Sequence, residues 1–417
     1  MNIRFSSYLL SLLVLVLILP GCKKVYDENI NSRKGVFNFS VTEVQQKRIN
    51  ESRGEQFIVS DPLPELHYNG DLYTIDRFEI RGESSLNFNR KGFSVNMDRK
   101  ITFSIPEDQT ERKIEKFKLL AMVFDYTYIE NSIAVGLFKE VNLWPVFSFF
   151  TEVSLNNHTQ GLYHFIEDPV EYFIAQKNSS FVLRRGYDHS IKTFASGLGP
   201  AHDQQEYLSR FSKIYSVIAS YNGRQLYDTL SGYMDMEQYF TKLSIDMLLK
   251  NGDYTDEIFF YTKIRNNNEV FGVFPWDYDD LFSDQPHEIG RSWATGTVFG
   301  HRAYSMMNDI IADVGSKLLY SIEDDLDYKI ARDSVLYKGY LKTLRTTIEK
   351  IDLLTIDKIF DNTFEQISPF YSSAAIIAQS KYDVDETNYN LFVTNLAQKR
   401  QMLKDRRTWI LQELDKQ

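Results

Sequence analysis

Cysteine is all but missing. Cys22 is the only one in 417 residues, so no disulfide can form within the chain. Positive charge is also in deficit: the formal net charge is −10, and no basic run forms the footprint that a nucleic-acid backbone requires, which excludes nucleic acid as an expected partner. No internal repeat of fixed period is present, so the chain is no solenoid or propeller. Gly-x-Ser-x-Gly and His-Glu-x-x-His are both lacking, which weakens hydrolase readings, and there is no Walker-type phosphate loop. After the N-terminus, no apolar run approaches the length of a membrane span.

The N-terminus itself carries Arg4, an apolar run from Tyr8 to Leu19 broken only by Ser11, and then Leu19-Pro20-Gly21-Cys22. That run is shorter than the roughly 20 residues needed to cross a hydrocarbon core of about 30 Å. It has the length of a signal-peptide core. A small residue directly before cysteine resembles the lipobox of bacterial lipoproteins, with Pro20 where Ala or Ser is more usual. The expectation is export, cleavage before Cys22 and lipidation of that thiol. The protein would then be held in the cell envelope at a membrane surface, since two or three acyl chains anchor stably. Lipidation would also remove a lone reactive thiol.

What the chain does have is a globular composition: 43% hydrophobic and 25% charged residues, with 30 Phe and 26 Tyr against 4 Trp. An aromatic fraction of 14% implies a sizeable core rich in β structure. Residues 22–55 are polar and of mixed charge and read as a tether. Residues 56–302 read as a core and 303–417 as a helical C-terminal part of the same domain. Strand patterns occupy 56–103, with alternation at Ile75–Ile80 and Phe93–Met97. Residues 111–143 read as helical, broken at Asp125-Tyr126-Thr127, with Ile133, Ala134, Leu137, Phe138 and Val141 on one face. Two hairpins are expected, 149–155 with 161–166 and 258–264 with 270–274, with helices over 203–250 and beyond 303. The fold class is α+β.

Carboxylates concentrate around the second hairpin. Asp253, Asp256 and Glu257 precede it, and its return strand ends in Pro275-Trp276-Asp277-Tyr278-Asp279-Asp280. A hairpin returns its end to its start, so Asp253 and Glu257 should lie near Asp277 and Asp279. Converging carboxylates repel unless a cation neutralises them. Hard oxygen ligands suit Mg²⁺ or Mn²⁺. If the strand end is extended, Asp277 and Asp279 share a face. The plainer alternative is a solvated acidic loop. His287 and His301 are loose site candidates, and Trp144 and Trp293 are candidates for glycan contact, although tryptophans are more often core.

At these residues the sequence resembles the spore-coat-protein H (CotH) kinase family. Arg81-Gly82-Glu83-Ser84-Ser85, followed by Arg90-Lys91-Gly92-Phe93, is similar to the family's Arg-Gly-x-Ser-[Ser/Thr] element and its Lys-Lys-x-aromatic strand. Phe117-Lys118-Leu119-Leu120-Ala121 with Asp125 and Asn131 resembles the next block. Asn156 to Tyr163 with Glu167 resembles the hairpin block, and Asp253 and Trp276-Asp277-Tyr278-Asp279 the two acidic elements. The blocks keep their order over about 75–280.

The resemblance implies an atypical protein-kinase-like fold of two lobes, β-rich early and mostly helical late. It implies transfer of phosphate from ATP to Ser or Thr of an exported protein, with Mg²⁺ or Mn²⁺. Asp253 would orient or deprotonate the acceptor hydroxyl. Asp277, Asp279 and Glu257 would serve the metal. Arg81 and Lys91 would hold phosphates, and Glu167 would position the lysine or a metal. The sequence departs from the family at Glu83, where Asn is common, at Gly92, where a second lysine stands, and at Asp256-Glu257, where relatives have Asn. These departures define the alternative, a binding or scaffold protein that kept the fold and lost the chemistry.

Overall fold

The computed structural model describes residues 26–104, 111–186, 190–197, 204–253, 255–283, 317–322, 324–379 and 387–417. Its N-terminal part is a closed barrel. Strands β1 (Val36–Ser40), β2 (Phe57–Val59), β3 (Glu65–Tyr68), β4 (Asp71–Arg81), β5 (Gly92–Ser104), β6 (Glu111–Leu120), β7 (Ser148–Leu155) and β8 (His158–Glu167) form one sheet. Its order β4-β3-β1-β7-β8-β6-β5 closes by pairing of β5 back onto β4, and β2 lies along β4 beside β3. All pairings are antiparallel except β1 with β7. The seven-strand ring closes on itself, with β2 paired along β4 outside it.

Alternation fills the barrel with rings. Phe165 lies 4.6 Å from Phe149, 4.8 Å from Phe117 and 4.9 Å from Phe103 between ring centroids. Phe37 joins them at 5.6 Å. These distances fall within the range in which aromatic pairs add to simple burial. The outer face of β6 carries Lys116 and Lys118, paired with Glu171 and Asp168 at 2.9 and 2.8 Å.

A second sheet, order β10-β9-β11-β12, is built from β9 (Phe181–Arg185), β10 (Ile191–Ser196), β11 (Ile258–Arg265) and β12 (Asn268–Pro275). It shares one apolar core with the helices Glu130–Glu140, Gln204–Ser220, Gly223–Ser231 and Met236–Leu249, and with the C-terminal helices Asp325–Arg332, Ser334–Lys350, Leu353–Ile367 and Tyr389–Leu414. The C-terminal part is therefore packed into the same body as the second sheet. Among the described residues no helix is long and apolar enough to cross a membrane.

Both expected hairpins form, each through a tighter turn than the sequence suggested. Asn156 and Asn157 have φ of 48° and 63°, and Asn266 and Asn267 have φ of 50° and 64°. Positive φ at both central positions is the two-residue turn whose twist matches the flanking strands, and asparagine tolerates it.

Three expectations need correction. Residues 22–55 are not a tether over their whole length. Val36–Ser40 is a barrel strand with Phe37 and Phe39 buried, and Glu43–Glu51 is a helix opened by a Thr42–Gln45 capping box. Residues 111–120 are strand rather than helix. Their Lys/Glu content suits a helix, but Phe117 and Leu119 face the core while Lys116 and Lys118 face outward, a period of two imposed by β5 and β8 on either side. The β-rich half closes as a seven-strand ring, with no separate kinase lobes drawn among the described residues.

Phe165 is the hub of the barrel's rings, and its loss would leave a large cavity. Phe165→Ala should lower the urea-unfolding free energy by about 3–5 kcal/mol. Phe165→Leu should cost about half of that or less. Equal losses for the two variants would show that the ring cluster is not what holds the barrel.

Candidate active site

The second hairpin sets the site. Trp276 N–H donates to Glu257 O at 3.1 Å, and the chain then runs back beside the end of the Met236–Leu249 helix. Gly252 N–H donates to Asp280 O at 2.9 Å, Phe282 N–H to Leu249 O at 2.8 Å and Ser283 N–H to Lys250 O at 3.1 Å. Gly252 is required there, because a Cβ would fall 1.9 Å from Asp280 Oδ2. Beneath this ladder Tyr278 Oη donates to Asp246 Oδ1 at 2.7 Å. The strand end is not extended: Asp277 has φ of +53°, a conformation that costs energy outside glycine. Simple alternation thus fails at Asp277, yet the turn keeps its carboxyl close to Asp253 and Asp279.

The electrostatics record the convergence. Burial pushes the Asp277 carboxyl up, Arg81 and Arg184 pull it down, and Asp253 and Asp256 push it up again. Asp279 is held well above the usual carboxylate range by burial first, then by Asp277, Asp253, Asp125 and Glu130. Glu257 is also well above it, through burial, opposed by Arg184 and reinforced by Asp277, Asp256 and Asp253. One oxygen each of Asp253, Asp256 and Glu257 lies within 4.8 Å of the others. Among the described residues, the buried Asp253 Oδ1 has no hydrogen-bond donor. The Asp253 carboxylate with its orphaned oxygen, beside Asp277 and Asp279, suits a hard divalent cation.

Cations face these acids. Arg81 is directed to Asp277, Glu257 and Asp168, and its guanidinium lies 5.7 Å from the Trp276 ring centroid. Arg184 grips both Glu257 oxygens at 2.7 and 2.8 Å and donates from Nε to Asp256 O at 2.9 Å. Lys192 bridges Asp256 and Glu83. Behind Arg81, Asp168 is pushed up by burial, but Lys118 and the backbone amides of Glu171 and Val170 bring it below its ordinary value.

Of the residues singled out from sequence, Asp253, Asp277, Asp279, Glu257 and Arg81 meet at this centre. Glu257 does so with both oxygens occupied by Arg184. Lys91 and Glu167 do not reach it. Lys91 is 2% exposed, and its ammonium donates to Ser52 O at 2.7 Å and to Leu86 O. Ser52 closes the Glu43–Glu51 helix, where a cation suits the carbonyl end of the dipole. Burial and then Arg53 pull the Lys91 amine down to about 8. Glu167 binds Arg112 at 2.8 Å and the Phe147 amide at 3.0 Å. Asp168 at the next position leaves the strand as the N-cap of the Pro169–Glu171 turn, bonds Lys118 and faces Arg81 instead. Trp144 is buried, with Nε1–H donating to Ser148 Oγ at 3.2 Å, so it is no glycan platform. Cys22, His287, Trp293 and His301 lie outside the described residues.

Sequence reasoning missed Arg184, Lys192, Lys118 and Asp168. The available signal was an Arg-Arg pair closing an apolar strand, Phe181-Val182-Leu183-Arg184-Arg185, since charges placed there need buried partners.

This chain belongs to the CotH kinase protein family, whose model matches residues 78–410. It is 22% identical over 333 residues to the inner spore coat protein H of Bacillus subtilis (strain 168), covering 74% of this chain and 81% of that protein. Among solved structures it matches the crystal structure of the Helicobacter pylori proinflammatory kinase CtkA at 13% identity, with a TM-score of 0.32, over 75% of this chain and 94% of that one.

The raised carboxyls give a signed pH dependence. Asp125, beside this centre, is pushed up to about 7 by burial and by Glu130. Between the ordinary carboxylate range near 4 and about 7, the folded state binds more protons than the unfolded chain, so stability falls as pH rises through that window. A divalent cation reverses the repulsion only where the acids are ionised. In differential scanning fluorimetry, Mn²⁺ should therefore raise Tm by about 2–5 °C near pH 8 and far less near pH 5. An Mn²⁺ shift independent of pH would contradict the assignment.

Proposed function

We propose that this chain is a metal-dependent protein kinase of the cell envelope, transferring the terminal phosphoryl group of ATP to a serine or threonine hydroxyl of an exported protein. The observation that supports it best is the convergence of Asp253, Asp277 and Asp279 opposite Arg81 and Arg184, in a chain of the CotH kinase family. Asp277 and Asp279 would hold Mg²⁺ or Mn²⁺, which when bound supplies neutralising charge to the phosphate oxygens.

The chain's own groups do the remainder. Arg81 and Arg184 offset negative charge that builds on the transferred group in a partly buried site. Asp253 accepts the proton of the acceptor hydroxyl. The hydroxyl oxygen forms a bond to phosphorus, and the bond between that phosphorus and the bridging oxygen breaks, leaving ADP. Lys118, tied to Asp168 behind Arg81, sustains the positive side of the site.

A second reading, a binding protein without turnover, is favoured by one arrangement: Arg184 and Lys192 already neutralise Glu257 and Asp256. Incubation with labelled ATP and Mn²⁺ separates the two. The kinase reading expects label on the chain or on a generic protein substrate, with Asp277→Ala lowering incorporation at least about a hundredfold while the fold persists. No incorporation and no nucleotide-induced thermal shift in the unsubstituted protein would sink it. The anchor is part of the same proposal: Cys22→Ser should move the protein from the membrane fraction to the soluble one, and unchanged membrane retention would refute lipidation at that residue.

A further inference from the structure

The Tyr389–Leu414 helix reaches the back of the acidic centre through one side chain. Lys399 donates from Nζ to Glu130 Oε1, and its ammonium lies 4.8 Å from the Phe282 ring centroid. Glu130 Oε2 accepts the Leu281 amide at 2.8 Å. Glu130 opens the Glu130–Glu140 helix, whose first amides are capped by Asp125: Ile129 N–H to Oδ1 at 3.0 Å, and Glu130 N–H and Asn131 N–H to Oδ2 at 2.8 and 3.2 Å. Two carboxylates therefore share one helix start in a buried place. Lys399 is the cation that the structure sets against both.

We infer that Lys399 is a positioning residue of the acidic centre. It fixes Glu130 in place, so that Glu130 pins Leu281 and with it the 277–283 segment that carries Asp277 and Asp279. The proposal builds on the reading of those two aspartates as working ligands, but it concerns the segment's geometry and needs no turnover to be tested. A buried carboxylate without its counter-ion is unfavourable. Removing Lys399 would free Glu130 Oε1 to turn away, which weakens its hold on the Leu281 amide. The helix has other anchors, with Phe392, Leu396, Leu403 and Ile410 buried and Arg406 Nε–H donating to Met247 O at 3.1 Å. Loss of one lysine therefore need not undock it.

Native-state hydrogen exchange of the full chain tests this without metal or nucleotide. In Lys399→Met, peptides covering 277–283 should exchange about tenfold faster, while peptides covering 389–414 keep their protection. Lys399→Arg should restore slow exchange. In a Glu130→Gln background, where the acceptor for Leu281 remains but the charge is gone, Lys399→Met should add little further change, because the two residues act as one pair. Unchanged exchange at 277–283 in Lys399→Met would overturn the proposal. Loss of protection spread along the 389–414 helix would overturn it too, since Lys399 would then be only a helix anchor. If phosphoryl transfer proved absent while the exchange pattern held, the kinase reading would fall and this inference would stand.

Discussion

Carboxylates crowded into a poorly solvated space repel one another, and the organisation of this molecule follows from how that repulsion is contained. Asp277, Asp279 and Glu257 are each held above the usual carboxylate range, by burial first and then by their acidic neighbours, Asp253 among them. Such a cluster is stable only if the surrounding structure imposes it and delivers compensating charge. The hairpin of β11 and β12 imposes it. Its return strand is locked to the end of the Met236–Leu249 helix by successive backbone bonds, and the left-handed turn at Asp277 aims the acid inward.

Compensation comes from separate parts of the chain. The barrel contributes Arg81 from the end of β4. The second sheet contributes Arg184 and Lys192 from β9 and β10, and the C-terminal helix sets Lys399 against the neighbouring Glu130. The acidic segments supply no cation that meets this cluster, so the centre exists only when barrel, sheet and C-terminal helices are assembled. That gives the rigid aromatic filling of the barrel a role beyond stability: a slack barrel would let the end of β4 drift, and Arg81 with it, away from Asp277. It also accounts for the single apolar core shared by the second sheet and the C-terminal helices, which fixes Lys399 relative to Glu130.

Elements with a strong local pattern were legible from sequence. The amphipathic helix at Ile133–Val141 and both asparagine-linked hairpins follow from period and turn chemistry, and the hairpin argument alone placed Asp253 beside Asp277. Features decided by tertiary context were not legible. Glu111–Leu120 is rich in helix formers yet is a strand, because barrel neighbours on both sides override propensity. Lys91 stood in a motif suggestive of phosphate contact, but its ammonium lies under a helix end. Glu167 and Asp168 differ by one position, and only the place where β8 ends and the Pro169–Glu171 turn begins decides which faces Arg81. Arg184 and Lys192 belong to strands whose pairing with β11 no local pattern reveals.

The charge balance at the centre gives this arrangement chemical direction. Asp253, Asp256, Glu257, Asp277 and Asp279 are five acids. Arg81, Arg184 and Lys192 are the cations directed at them among the described residues, so on full ionisation the acids outnumber the cations. Protons and a divalent ion compete for that same excess. Protonation relieves the repulsion while extinguishing the acids as ligands or bases, whereas a dication relieves it and leaves them ionised. Arginines suit this balance better than lysines would, since Arg81 and Arg184 stay charged despite burial and cannot become proton sinks themselves. Under the kinase reading a dication and a polyanion would bind such a centre together, because each would remove the unfavourable field left by the other.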